Sequence, residues 1–168
     1  MVTATLIIGT SPAGAATVPA RQLSIASFEG HTIDLSKGWG MAHACLVWHE
    51  HGILQCFRTD TELRARLLQA NQPNAAPLVD TCSSSLDLYS GSTYSGMHLA
   101  MRDRGYWQEL SNYGFNDITD SFLGGACSFH LAQGSYGQGY WYPGNTGAWS
   151  FAADMGSWDN TVSSVYIN

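Results

Sequence analysis

The sequence predicts an all-β fold in which two related strand motifs make one sandwich, preceded by a small hairpin and helix. Three observations predict it. From Cys82 onward, Gly, Ser and Asn punctuate short apolar runs about every ten residues, the spacing of a sandwich or barrel rather than a helical array. Phe115-Asn116-Asp117-Ile118-Thr119-Asp120-Ser121-Phe122-Leu123 returns as Trp158-Asp159-Asn160-Thr161-Val162-Ser163-Ser164-Val165-Tyr166, with Asn116 and Asp159 43 residues apart. Tyr94 with Tyr136, Gly105 with Gly147 and Trp107 with Trp149 keep a spacing of 42. A unit of that length present twice defines a repeat, and two copies are too few to close a propeller, which needs about four blades.

Composition bounds the rest. At 168 residues the chain buries a real core. Only 12% of it is charged, Lys37 is the sole lysine, and the net charge is −6. Nucleic acid is thereby excluded as a partner, since phosphate contacts need clustered Lys and Arg. No apolar run reaches the length of about 18 residues that a membrane helix needs. The four cysteines, Cys45, Cys56, Cys82 and Cys127, include no C-x-x-C pair and suit two disulfides of a secreted, extracellular protein. Residues 1–25 read as a leader and arm, with the apolar run Thr5–Ile8 and a signal-peptide-like Ala13-Gly14-Ala15-Ala16, but without a basic start.

Residues 26–72 read as a hairpin–helix unit. Ala44–Trp48 and Ile53–Phe57 are strand-like runs around His49-Glu50-His51-Gly52, and pairing Trp48 with Ile53 sets Cys45 opposite Cys56. Thr59 and Glu62 have capping-box spacing, and Leu63 and Leu67 share a helical face, so a short helix follows. Residues 73–83 are a linker by composition. In residues 84–168 the first hairpin is Leu86–Tyr89 and Met97–Met101 around a loop at 90–96.

On these motifs the second half of the chain resembles the βγ-crystallin family. Tyr89, Tyr94 and Gly96 carry the hairpin signature of its Greek-key unit. Asp159-Asn160-Thr161-Val162-Ser163-Ser164 matches the closing motif of its calcium-binding branch, and Asn116–Ser121 matches except that Asp120 replaces a hydroxyl. In the second hairpin Leu131 replaces the first aromatic, Tyr136 is kept and Gly139 falls one residue late. The resemblance implies a Greek-key sandwich with two calcium sites. One would use Asn116, Asp117 and Asp120 with backbone of Gln133–Ser135, the other Asp159, Asn160 and Ser163 with backbone of Gly91–Thr93. Calcium takes six to eight oxygens of any kind, which this set offers. The same residues also suit plain turn capping. The chain is similar, too, to secreted crystallin-fold metallopeptidase inhibitors of actinobacteria, which makes an extracellular peptidase the alternative partner, with a Cys82–Cys127 bridge to preorganise the binding loop.

Three further groups stand outside these motifs. His43, His49 and His51 with Glu50 have zinc-compatible spacing or are solvated turn residues. Tyr140, Trp141, Tyr142 and Trp149 form a candidate binding patch for a surface polysaccharide or a protein, or alternate into the core. No G-x-S-x-G elbow, H-E-x-x-H helix or phosphate loop is present, so the sequence points to a non-enzymatic protein.

Overall fold

A computed structural model describes residues 23–70, 82 and 84–168. The expected leader up to residue 22 and most of the linker lie outside the described residues. The N-terminal part supplies β1 (Ile25–Phe28), β2 (His31–Asp34), β3 (Ala44–Trp48), β4 (Ile53–Phe57) and α1 (Asp60–Ala70). The remainder supplies β5 (Leu86–Gly91), β6 (Ser95–Met101), β7 (Trp107–Glu109), β8 (Ser121–Leu123), β9 (Phe129–Ala132), β10 (Phe151–Ala152) and β11 (Ser164–Ile167).

Two sheets face each other. The larger runs β10-β8-β5-β6-β3-β4-β1-β2 and the smaller β7-β11-β9, which an isolated bridge from Ala132 to Trp141 widens at one edge. Each repeat thus opens with a hairpin (β5–β6, and β9 with the strand at Trp141) and lends its third strand to the opposite sheet. β7 of the first repeat pairs with β11, and β10 of the second pairs with β8. These are two interlocked Greek keys in a β-sandwich, the architecture that the resemblance implies. Alternation does the sorting: Leu88, Leu99, Met101, Phe122, Phe129, Leu131, Val165 and Ile167 point between the sheets and are buried.

The hairpin–helix unit is continuous with that sandwich. β3 pairs in parallel with β6, Ala44 beside His98 and Val47 beside Met101, so the N-terminal strands extend the larger sheet. Cys45 faces Cys56 in the β3–β4 register and is bonded to it, with Cα atoms 4.0 Å apart. Cys82 is bonded to Cys127, Cα atoms 5.3 Å apart, which staples the approach to β5 onto the β8–β9 connection. Helix α1 begins where expected: Glu62 N–H donates to Thr59 Oγ1 at 3.3 Å, and the Glu62 carboxylate accepts from Arg58 N–H at 2.9 Å. Its Leu63 packs with Ala44, Leu46 and Ala100 on the outer face of the larger sheet. The first hairpin is tighter than the sequence suggests, because β5 and β6 run on to Gly91 and Ser95 across a bulge and leave only residues 92–94 as the turn.

Candidate functional site

The closing motifs of the two repeats lie against each other and are tied by a reciprocal pair of backbone bonds. Asp117 N–H donates to Val162 O, and Asn160 N–H donates to Thr119 O, each at 3.0 Å. Both donors are 43 positions apart, and so are both acceptors, which places a pseudo-twofold axis between them. Asp117 and Asn160 both stand at positive φ, 55° and 56°, a conformation that Asn and Asp tolerate better than most residues.

The second hydroxyl of each motif holds a hairpin loop. Ser121 Oγ donates to Gly91 O at 2.6 Å and accepts from Tyr94 N–H at 3.1 Å. Ser164 Oγ donates to Gly134 O at 2.6 Å and accepts from Gly137 N–H at 3.0 Å. Every partner is again 43 residues on, so Gly137 takes the place of Tyr94 and Gly139 (φ 76°) that of Gly96 (φ 75°). That corrects the sequence alignment of the second hairpin: Ala132 and Gly137, not Leu131 and Tyr136, stand where the first has Tyr89 and Tyr94, and Gly139 is in register. The loop turn shifts with them, and Tyr136 is left in the left-handed region at φ 53°.

The first hydroxyl position behaves differently. Ser163 Oγ lies 2.8 Å from Asp117 Oδ1 and 2.8 Å from Gln133 O. A hydroxyl carries one proton, and both neighbours are acceptors, so three oxygens converge with a single hydrogen among them. Asn116 lies alongside, its amide donating to Asp117 Oδ2 at 2.7 Å. On the other side of the axis, Asp120 takes Ser163's place. Its carboxyl is pushed above the usual carboxylate range, first by burial and then by the charges of Asp159 and Asp154. Asp120 Oδ1 is buried with no hydrogen-bond partner. Asp159 Oδ1 accepts from Met155 N–H at 3.0 Å, and the same N–H donates to Asp120 O at 3.0 Å.

The six residues read from the motifs therefore gather in two places, but in a different grouping. Ser163 joins Asn116, Asp117 and the Gln133 loop, while Asp120 lies beside Asp159, with the Asn160 backbone bonded to the neighbouring Thr119 O. The physical reason is the interlocking of the repeats, which sets each motif's first pair beside its partner's hydroxyl position. Asp154 was missed; it lies outside both closing motifs, and only the turn before Gly156 brings it near.

The other candidates disperse. His51 lies tilted against Trp48, ring centroids 3.8 Å apart, whereas His49 contacts the Tyr113 hydroxyl at 3.2 Å and burial lowers its pKa. Among the described residues no three His, Cys, Asp or Glu side chains converge as a metal site, so any cation must use hydroxyl, amide and carbonyl oxygens as well. The aromatic patch also divides. Tyr142 turns inward against Phe122 and Trp158, at 5.6 Å from each ring. Trp149 is 68% exposed, with its backbone N–H donating to Gly125 O, and Tyr140 is 79% exposed. Trp141 instead joins Trp107, His130 and Tyr166, none of which the sequence placed in a binding patch.

No known family's sequence pattern matches the chain, and no curated protein matches it. Among solved structures it is similar to a βγ-crystallin from Ciona intestinalis, at 23% identity over 50% of this chain and 99% of that one, with a TM-score of 0.43. It is similar also to a βγ-crystallin domain from Flavobacterium johnsoniae, at 20% identity over 49% and 92%, TM-score 0.41. A variant βγ-crystallin domain from Clostridium beijerinckii shares 17% identity over 49% and 95%, TM-score 0.41.

Proposed function

We propose that this is an extracellular calcium-binding protein whose cation sites are the two clamps across the pseudo-twofold axis. The observation that carries the reading is the Ser163 hydroxyl, held 2.8 Å from two acceptor oxygens with one proton to share. A hard cation removes that deficit, because it accepts lone pairs from carboxylate, hydroxyl and carbonyl oxygens together. The first clamp would use Asn116, Asp117, Ser163 and the Gln133 carbonyl. The second would use Asp120, Asp159 and Asn160, where the Asp120 pKa is raised first by burial and then by the charges of Asp159 and Asp154, a repulsion that a cation would neutralise. Each clamp draws on both repeats, so calcium would tie the two Greek keys together and stabilise the sandwich by mass action. Two disulfides support export to an oxidising compartment. Binding, not catalysis, is the activity proposed.

Isothermal titration of chelator-stripped protein tests it, together with melting in calcium and in magnesium. Calcium is expected to release or absorb heat and to raise Tm, with magnesium weaker because it sheds its water reluctantly. Ser163→Ala should weaken one site and leave the other. No heat and no change in Tm at millimolar calcium would overturn the reading.

A further inference from the structure

The smaller sheet turns a row of rings to solvent. Trp107 on β7 and His130 on β9 both face Tyr166 on the central β11, and Trp141 closes the row at the edge. Trp107 lies 5.4 Å from Trp141 and 5.6 Å from Tyr166, while His130 lies 4.7 Å from Trp141. Both indoles are fixed. Trp141 Nε1 donates to Gly137 O at 2.7 Å, and the Trp107 ring lies so close over Gly137 that a Cβ there would overlap it. The two indole planes are tilted by 57° to each other, with Trp141 half exposed (49%).

We propose that this row binds a neutral glycan, one sugar ring seated against the Trp107–Trp141 pair. Two properties of the face select that chemistry. First, it is almost uncharged: β7, β9, β11 and residues 133–142 contain a single acidic or basic side chain besides His130, Glu109, whose carboxylate is engaged by Tyr136 N–H at 2.5 Å. A neutral ligand complements such a surface, whereas anionic polymers and charged protein faces do not. Second, the rings of this face are left uncovered: on the equivalent outer face of the larger sheet Tyr89 and His98 are each 1% exposed and His98 pairs with Asp60 of α1, whereas Trp141 is 49% exposed. The open face thus presents indole, phenol and imidazole rings, each apolar on its faces and polar at its edge. A pyranose is built the same way, with C–H groups on its faces and hydroxyls at its rim. Rings already locked in place lose little entropy when it binds.

Affinity electrophoresis of the whole protein tests this, through gels containing mixed-linkage β-glucan, xylan or galactomannan, with a plain gel and an alginate gel as controls. Tryptophan fluorescence during titration with chitohexaose extends the panel. The expected result is retardation by, or a fluorescence response to, at least one neutral glycan and none by alginate. Trp141→Ala should weaken it at least tenfold, while Trp149→Ala, whose ring lies elsewhere, should leave it intact. Should Trp141→Ala also lower Tm, His130→Ala and Trp141→Leu carry the comparison. No response to any neutral glycan, or a response that survives Trp141→Ala and its substitutes, overturns the proposal. So does a concentration-dependent dimer that Trp141→Ala dissolves, which would assign the face to a second copy of the chain.

Discussion

The two outer faces of the sandwich are pseudo-twofold copies of each other, and the chain has treated them in opposite ways. On the larger sheet the row is Phe151, Leu123, Asp87, Tyr89 and His98; on the smaller it is Trp107, Tyr166, His130, Ala132 and Trp141. Helix α1 lies over the first. There His98 is 1% exposed, its ring stacked on Tyr89 at 4.3 Å and its two nitrogens 3.0 Å from Asp60 and 3.3 Å from Asp87. Its counterpart Trp141 is 49% exposed. The edge strands differ in step. β6 has neighbours on both sides, β5 and β3, and runs seven residues, while its equivalent has only β9 and shrinks to a bridge. What teaches most is the cause: one added unit, docked on one edge, converts a half of the repeat into scaffold and leaves the other half to present its rings.

The sharpest way to break this contrast is to remove the cover. Leu63→Ala empties a fully buried position between α1 and the larger sheet, and should cost about 2–5 kcal/mol in denaturant unfolding. A smaller loss, about 1–3 kcal/mol, is expected for His98→Ala, which leaves Asp60 and Asp87 without the group that joins helix to sheet. Hydrogen exchange should then show α1 opening well before β5 and β6. If α1 stays as protected as those strands, His98 is not the latch between them. Trp141→Ala, at the equivalent place on the open face, should cost about 1–2 kcal/mol, less than Leu63→Ala, since half its surface is already in water. Equal costs for Trp141→Ala and Leu63→Ala would mean that both faces are structural.

Much of this was legible in the sequence wherever the signal was local. The Cys45–Cys56 pairing followed from hairpin register, the α1 start from Thr59 and Glu62, and the two halves from a repeat of closing motifs. What was not legible depended on strands meeting across the fold. Trp107, His130 and Tyr166 come from three strands separated by up to 59 positions, and nothing in any one run marks them as one surface. The same holds for Ser163 and Asp120: each was grouped with its sequence neighbours, whereas the exchange of third strands seats each beside the opposite motif. The parallel docking of β3 on β6 left no trace in either strand, because a buried edge and a buried centre are both simply apolar.

The smallest expected effect separates the two clamps. Where one has the neutral Ser163, the other has Asp120, pushed upward in pKa by burial and by Asp159 and Asp154. An acid with a raised folded pKa holds a proton more firmly folded than unfolded. Between the ordinary carboxylate range and the raised value the folded state binds more protons, so stability falls as pH rises through that window. In calcium-free protein the penalty is therefore complete above the raised value and lifts as pH drops. Asp120→Asn removes the charge and should stabilise calcium-free protein at neutral pH by about a few tenths of a kcal/mol, the scale of solvent-screened charge pairs. Its advantage over the wild type should shrink on acidification. Ser163→Ala removes no charge and should show no such pH dependence. With calcium bound the sign should invert at the Asp120 clamp, because the cation favours the ionised carboxylate, and Asp120→Asn should then melt below the wild type. Melting curves of both variants from pH 4 to 8, with and without calcium, check it; an Asp120→Asn advantage that persists unchanged in calcium would mean that no cation enters the second clamp.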